Sequence, residues 1–432
     1  ELDVFVLQVR PLAAERRWQK LEDAEINGAI AEVRREVRDL QQPQPGLAGA
    51  TTIFGEMPDW NPAEMIGTTP RRLAESLYRR LITDRVWAIA RSEMGYRDVH
   101  QPLMQTFAGR PYIDVRASVN SFLPGDIQQS LADRIVNIAL DRLTEFPQHH
   151  DKIEFEIAIT CRDLEYDRAI NRYTEAGLTQ SEAADWKDAL TELTARHLQR
   201  GAEGIGKLSE RPRRLLHEPG PLSGSDCLTQ IETVLARTAN NGTLPFAILA
   251  RHAFIGMSFL RSLVSTGIFS AEDAENFMLG ISTIATDVVN AMASVTTGQQ
   301  SQDEFLARYG HLRPGTYDIL SWRYDERPEL YLGQNIRGIP AHPQFRLGAA
   351  QGRAIDAALA KAGIGTGAEG LLSYISASLS AREEAKFAFT RGISDALSLV
   401  SDWGEENGLA REDVSHLSIV EILEGRHNPR EL

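Results

Sequence analysis

The segment 246–264, FAILARHAFIGMSFLRSLV, most strongly limits what this chain can fold into. Apolar residues occupy nearly every face of it at helical spacing, so a helix formed here needs neighbours all around it. Arg251, His252 and Arg261 interrupt the apolar residues and leave no clean membrane span. The segment therefore predicts a buried core helix.

Helix-start signals recur in the rest of the chain. Thr179, Ser270 and Ser301 each stand three residues before an acidic residue, in the arrangement of a capping box, and each precedes a periodic apolar run. Residues 326–352 are rich in Gly and Pro and read as a loop. Helical periodicity also fills residues 13–41, about 70–94, 126–145, 367–405 and 411–424.

A smaller β component is predicted in the first third. Residues 4–10 alternate as a strand that Pro11 ends, and this strand carries Gln8 and Arg10 on one face. The stretch 106–119, TFAGRPYIDVRASV, has the form of a hairpin with its turn at the Gly-Arg pair. Residues 153–159 alternate Ile and Phe with Glu and Ala, which also predicts a strand. The fold class predicted is mostly α with a small β component (α+β): a helical domain with a short hairpin or sheet.

Composition narrows the classes of partner. The chain has 432 residues and a net charge of −14, which argues against general binding to nucleic acid or to an anionic membrane. A local basic pocket remains compatible with this charge. Cys161 and Cys227 lie far apart, as expected of free thiols in a reducing cytoplasm. The length predicts two or three domains.

The stretch 309–326, YGHLRPGTYDILSWRYDE, has the highest density of functional side chains. Guanidinium groups, carboxylates and aromatic rings gathered at a Pro-Gly bend suit recognition of a polar or phosphorylated ligand. A buried ion-pair network that holds a loop between helices is the other interpretation, and the composition slightly favours it. The residues concerned are His311, Arg313, Tyr317, Asp318, Arg323, Tyr324, Asp325 and Glu326.

Three further stretches carry candidate residues. In 57–67, MPDWNPAEMIG, Asp59 or Asn61 caps the turn that Pro62 begins, while Trp60 anchors it or lines a pocket.

In the predicted hairpin, Arg116 shares a strand face with Tyr112 and Asp114, which predicts an internal salt bridge or a substrate contact. On the apolar helix, the sequence allows two interpretations of Arg251 and His252: hydrogen-bonded core residues, or contacts to a ligand.

Several of these stretches together resemble one enzyme family. FVLQVRPL resembles the end of the ATP-grasp domain in the phosphoenolpyruvate synthase and pyruvate, phosphate dikinase family. YGHLRPGTYDILSWRYDE resembles a segment of that family's central domain. GEMPDWNPAEMIG, GRPYIDVRASVNSF and GTLPFAILARHAFI resemble its PEP synthase-like subgroup, near rifampin phosphotransferase and L-glutamine kinase.

The resemblance implies a piece of a three-part enzyme. An ATP-grasp domain phosphorylates a mobile histidine, which carries the phosphoryl group to an acceptor bound elsewhere. The chain lacks the Gly-rich phosphohistidine motif and nearly all of the ATP-grasp domain. The implied parts are the last ATP-grasp strand (1–11), a connecting helix (12–47), an α+β part of the central domain (48–165) and its helical acceptor part (166–432).

The implied function is the acceptor side of an ATP-dependent phosphotransferase that releases AMP and phosphate. The implied cofactors are ATP and Mg²⁺, with Gln8 and Arg10 toward the ATP phosphates and Gln8 also at the metal. His311, Asp318 and Asp325 would orient the acceptor or accept its proton. The phosphate or acceptor contacts would be Arg116, Arg251, Arg313, Tyr317 and Arg323.

The expected partners are a small-molecule phosphoryl acceptor and the ATP-grasp and phosphohistidine domains, in cis or in trans. The isolated chain is expected to be inactive. One alternative is a non-catalytic helical binding or scaffold module that works with separate ATP-grasp and phosphohistidine subunits. A purely structural protein is the other alternative, and it predicts that Arg313, Asp318 and Arg323 are paired internally and closed to solvent.

Overall fold

The computed structural model describes residues 23–217, 226–332, 338 and 345–425. Among the described residues, 66% are helical and 3% are in strands, which confirms the predicted fold class. The predicted strand 4–10, with Gln8 and Arg10, lies outside the described residues.

Short helices dominate the first half of the molecule. Two π-helical turns lie among them: Arg79–Thr83 directly follows the helix that ends at Tyr78, and Ile153–Ile157 lies between the helices that end at Glu145 and begin at Tyr166. The α-helices are α1 (Asp23–Leu40), α2 (Pro62–Met65), α3 (Arg72–Tyr78), α4 (Val86–Glu93), α5 (Val115–Asn120), α6 (Gln129–Glu145), α7 (Tyr166–Glu175) and α8 (Gln180–Gln199).

The second half contains the two longest buried helices. A third π-helical turn, Thr238–Thr243, leads into one of them. The α-helices are α9 (Gly201–Leu208), α10 (Glu210–His217), α11 (Cys227–Arg237), α12 (Leu244–Ser265), α13 (Ala271–Leu279), α14 (Ile284–Thr296), α15 (Gln302–Tyr309), α16 (Ala349–Lys361), α17 (Ala368–Glu406), α18 (Arg411–Ser415) and α19 (Ile419–Glu424).

Helix α12 is the core helix that the sequence predicts. It packs along α17, and most of its side chains are buried. A close approach at Gly256 allows this packing, because a Cβ there would stand 3.1 Å from Ser378 Oγ and 3.4 Å from Ile375 Cα. The larger hydrophobic core joins residues on both sides of position 165, including Trp87 and Phe259. The predicted boundary between the α+β and helical parts stays a prediction.

The capping boxes predicted at Thr179, Ser270 and Ser301 are confirmed. Each side chain accepts the backbone N–H three residues on, and the acidic residue there accepts the N–H of the cap. Each box satisfies two backbone donors that the first helical turn would otherwise leave without partners.

The sheet has three antiparallel strands in the order β1-β3-β2: β1 (Phe54–Gly55), β2 (Met104–Phe107) and β3 (Arg110–Asp114). The hairpin turn is formed by Ala108 and Gly109, both at positive φ, as a type I′ turn requires. The predicted continuation of the strand through Arg116 is wrong. Asp114 ends β3 and caps α5 instead, with its carboxylate accepting the N–H of Ala117 at 3.0 Å.

The strand predicted at 153–159 is also wrong. Residues Ile153–Ile157 form a π-helical turn, and both isoleucines are fully buried. Positions i and i+4 belong to the same face in an alternating strand and also in one helical turn, so the pattern fits both structures. The π-helical turn matters for the rest of the structure because it determines where the Glu154 side chain lies.

In the described part of the chain, one helical stretch, Cys227–Ser265, is long and apolar enough by composition to cross a membrane, and 83% of its most apolar window is buried inside the fold. Helices α13 and α14 pass the same test only as a pair, and they are bent by 57°. Burial of this kind is typical of the core helix of a soluble protein.

Replacing Gly392 by alanine is expected to lower the free energy of unfolding by about 1–3 kcal/mol, through overpacking. A Cβ at Gly392 on α17 would stand 2.1 Å from Thr238 Oγ1, which donates to the Val234 carbonyl. Gly206→Ala on α9 is the matched control, since no atom lies within 4 Å of its added Cβ. Urea unfolding of both variants tests this, and equal stability of the two would contradict it.

Candidate functional site

A cavity of about 270 Å³ lies where the loop 57–61, helix α4, the turn 153–157 and the core helices α12 and α17 meet. Its wall includes the ring of Trp60 and the polar or charged side chains of Asp59, Asn61, Glu64, Arg91, Asp151, Glu154, Arg251, Arg382 and Lys386. We call it the loop 57–61 cavity.

The loop itself has an unusual backbone. Asp59, Trp60 and Asn61 have φ values of 22°, 65° and 27°, a region that residues other than glycine rarely adopt. The Asn61 side chain accepts the Glu64 N–H at 3.1 Å and caps α2, as predicted. The hydroxyl of Tyr78 donates to the Trp60 carbonyl. Backbone strain of this kind persists only where surrounding contacts hold it, and it is typical of ligand sites.

An ion pair inside the protein holds this loop. Arg91 donates to both carboxylate oxygens of Asp59, at 2.8 and 2.9 Å, and Ser118 donates to the same carboxylate at 2.8 Å. The guanidinium carbon of Arg91 lies 4.1 Å from the centre of the Phe122 ring. The charge of Asp59 is thereby neutralised, so this carboxylate serves to position the loop.

Arg251 brings a buried cation that lacks a carboxylate partner to the cavity. Only 3% of the residue is exposed. Its Nε donates to the Tyr96 hydroxyl at 3.3 Å and its Nη2 donates to the Thr160 hydroxyl, while Nη1 has no partner among the described residues. Buried donors are nearly always satisfied in native structures. An anionic or carbonyl group of a ligand in the cavity would satisfy Nη1.

Glu154 supplies a carboxyl group suited to proton transfer. Burial, followed by the nearby charge of Asp59, raises its pKa to about 7. It forms no ion pair with any described residue. A carboxyl group with such a pKa both accepts and releases a proton near neutral pH, as a general base requires.

Two more cations line the cavity from α17. Arg382 forms a long contact of 3.7 Å with Glu383, and its Nε has no partner within the described chain. Lys386 is partly exposed, and no carboxylate in the described ranges pairs with it. Together with Arg251 they make the cavity suitable for an anionic ligand or a transferring phosphoryl group.

The bend at Pro314-Gly315, by contrast, is held closed by internal contacts. Arg323 donates to both oxygens of Asp325 and to Asp395, each at 2.8 Å. Arg313 donates to Ser394 Oγ and to the Ser321 carbonyl, each at 2.8 Å. These contacts match the predicted network interpretation, and none of the cavities described for the resolved ranges is lined by these arginines.

Tyr317 and the two aspartates of the bend do not reach the cavity either. The Tyr317 ring lies 5.3 Å from that of Tyr78 and so supports the residue that holds Trp60. Asp318 is exposed and its carboxylate accepts the Leu320 N–H at 2.9 Å, while Asp325 is exposed and pairs with Arg323. The alternative of a purely structural protein predicted that Arg313, Asp318 and Arg323 are paired internally and closed to solvent. Arg313 and Arg323 fit this prediction, and the exposed Asp318 does not.

His311 is buried against Phe387, with 4.6 Å between the ring centres. Burial, then the charges of Arg391 and Arg323, lowers its pKa to about 3. The ring is neutral at pH 7 and is packed outside the candidate cavity.

The low pKa of His311 predicts a pH dependence of stability. The unfolded chain binds the proton near pH 6.5 and the folded chain does not, so stability is lost as pH falls from about 6.5 toward 3. We compare the free energy of unfolding of the wild type with that of His311→Gln. The difference, wild type minus variant, is expected to be smaller at about pH 5.5 than at about pH 8, by on the order of 1 kcal/mol. Urea titrations at the two pH values measure it; an unchanged difference would show that His311 titrates normally.

Arg116 has a role at a helix end. Its side chain is fully buried, and Nη1 and Nη2 donate to the carbonyls of Gln42 and Leu40 at 2.9 and 2.8 Å. The predicted salt bridge on a strand face is wrong, because Arg116 lies on α5 and closes the C-terminus of α1. It does not line the loop 57–61 cavity.

Of the predicted contacts, the structure therefore brings only Arg251 to the cavity, together with Asp59 and Trp60 from the second candidate stretch. Arg91, Glu154 and Lys386 were missed. Arg91 lies on an ordinary amphipathic helix, and its partner Asp59 is 32 residues away. The π-helical turn places Glu154 in the wall of the cavity, but its sequence pattern does not differ from that of a strand.

The fold and this cavity define a mostly helical protein with a cavity lined by aromatic rings and by both paired and unpaired charged groups. Comparison with models of protein families gives no match, and no characterised protein matches the sequence significantly. Within the described ranges, no group of three or more His, Cys, Asp or Glu side chains is placed to hold a metal ion.

Proposed function

We propose that the chain is the acceptor-binding region of an ATP-dependent dikinase-type phosphotransferase, and that the loop 57–61 cavity holds the acceptor. One observation carries the proposal. Three stretches that resemble the PEP synthase-like subgroup are far apart in sequence but come together here. Residues of 55–67 and 242–255 line the cavity, and 109–122 lies behind it, where Ser118 donates to Asp59 and the Phe122 ring lies under Arg251. They contribute the strained loop, the Ser118 hydroxyl that holds Asp59, and Arg251.

In the proposed reaction, the acceptor's nucleophilic atom attacks the phosphorus of a phosphohistidine brought by another domain. The bond from phosphorus to the histidine nitrogen breaks as the bond to the acceptor forms. Glu154 takes the acceptor's proton and later releases it to solvent, and the leaving histidine ring takes one proton from solvent, so that both groups return to their starting states. Lys386 and Arg382 neutralise charge on the phosphoryl group, and Arg251 orients the acceptor.

ATP and Mg²⁺ belong to the ATP-grasp domain in this proposal, with Gln8 and Arg10 as its last contributions. The steps above involve only protein side chains, the acceptor and the phosphoryl group. A cytoplasmic location follows from the substrates proposed and from two free cysteines.

The test is acceptor-dependent release of AMP. The protein encoded by the complete gene, or this chain with its ATP-grasp and phosphohistidine subunits, is incubated with ATP and panels of small amides, amino acids, sugars, antibiotics and pyruvate. AMP and phosphate are expected to form with one acceptor, and Arg251→Met is expected to raise the KM for it. ADP as the product would overturn the proposal. An acceptor that binds in the cavity but is never phosphorylated would favour the non-catalytic binding module.

A further inference from the structure

A second cavity, of about 500 Å³, lies on the other side of the π-helical turn Ile153–Ile157. It is built from α6, α7, the segment 158–165 and one face of α12. Glu154 and Phe155 line both this cavity and the loop 57–61 cavity. Its volume is within the range typical of small-molecule sites.

Two arginines in its wall converge on one backbone oxygen. Arg142 Nε and Arg172 Nη1 both donate to the carbonyl of Glu156, each at 3.0 Å. Arg172 Nε also donates to the Ala169 carbonyl at 3.3 Å. Neither guanidinium forms an ion pair with a carboxylate in the part of the chain that the structure describes, so two like charges lie close together. The carbonyl dipoles stabilise both, and the Phe146 ring, 5.0 Å from the guanidinium carbon, stabilises Arg142.

The other arginines of the cavity are already paired. Arg261 contacts the Glu156 carboxylate at 3.1 Å, and Arg168 contacts Glu165 at 3.1 Å. The remaining carboxyl groups are Glu154 and Asp163. Burial raises the pKa of Asp163 to about 6 and that of Glu154 to about 7, which reduces the negative charge they carry near neutral pH.

Hydroxyl groups complete the opposite wall. Ser258 and Ser262 of α12 and Thr160 line the cavity, and the two serine hydroxyls donate to the Phe254 and Phe259 carbonyls. The free donors are therefore those of the guanidinium groups, and a group with several acceptor oxygens and a double negative charge would match the two guanidinium forks.

We infer that this second cavity binds a small molecule through a dianionic group, a phosphate or a pair of carboxylates, held by Arg142 and Arg172. The site is separate from the proposed acceptor site and does not depend on the proposed phosphoryl transfer. Because Glu154 lies in both walls, a ligand here contacts the same turn that shapes the acceptor cavity.

Isothermal titration of the chain with inorganic phosphate and, separately, with malonate tests the inference. At least one anion is expected to bind saturably, and the better of the two identifies the ligand group. Arg142→Met and Arg172→Met are each expected to raise Kd by about tenfold or more, the effect of losing a charge-assisted hydrogen bond. Arg214→Met, an exposed arginine on α10 paired with Glu210, is the matched control and should leave Kd unchanged.

A measurement on the unaltered protein covers the case in which an arginine variant fails to fold. The better-binding anion is expected to slow amide hydrogen exchange in residues 153–157 and to leave exchange in α14 unchanged. Failure of both anions to bind saturably at millimolar concentration overturns the inference. Equal Kd in the arginine variants and the wild type also overturns it, as does unchanged exchange in 153–157.

Discussion

Replacing Asp59 by alanine is expected to lower the free energy of unfolding by about 3–5 kcal/mol. The side chains of Asp59 and Arg91 are 3% and 7% exposed, so the variant leaves a guanidinium inside the protein without its counter-charge. The strained backbone of Asp59, Trp60 and Asn61 also loses the contact that holds it. Equilibrium urea unfolding, followed by circular dichroism, measures the loss.

An exposed ion pair of the same geometry is the matched control for this variant. Arg213 donates to both oxygens of Glu384, at 2.8 and 2.9 Å, but the Arg213 side chain is 52% exposed. Glu384→Ala is expected to cost less than about 1 kcal/mol, because solvent screens the pair. If Asp59→Ala were no more destabilising than Glu384→Ala, the buried pair would not be what holds the loop.

Replacing Glu154 by glutamine is expected to reduce acceptor-dependent AMP release by about 100-fold or more, the usual contribution of a general base. This expectation depends on the proposed function. Because a base acts in its deprotonated form, the wild-type rate should rise with pH through the pKa of Glu154 at about 7. The glutamine variant should lose that rise, since its amide does not titrate.

Two controls separate chemistry from binding in this experiment. Glu145→Gln alters an exposed carboxylate at the end of α6 and should retain the full rate. Acceptor affinity, measured by calorimetry, should change little in Glu154→Gln because the side chain keeps its size. A variant that retains both the rate and its rise near pH 7 would remove Glu154 from the mechanism.

Local signals in the sequence predicted much of the secondary structure. Capping boxes at Thr179, Ser270 and Ser301 each begin a helix, because the groups that form them are only three residues apart. The apolar pattern of 246–264 likewise predicted the buried helix α12. The alternation at 153–159 failed, because a pattern with period two also contains the spacing of four that a helical turn uses.

The polar bend at 309–326 shows where local reasoning about function fails. Composition slightly favoured a buried ion-pair network here, whereas the family resemblance implied ligand contacts. Arg313 and Arg323 are paired with Ser394 and Asp395 of α17. Those partners lie more than 70 residues further along the chain. A cluster of charges in sequence carries no information on whether a distant helix supplies its counter-charges.

The sequence by itself determined the fold class, the starts of the capped helices and the buried status of α12, since these depend on neighbours within one or two helical turns. Only the tertiary structure decided which charged groups face a cavity. Asp59, Arg91, Glu154 and Arg251 come from four separate segments, and whether a buried charge is paired or free depends on which segments pack beside it. That packing leaves Arg251 without a carboxylate and gives Arg91 one, although both are buried arginines on helices.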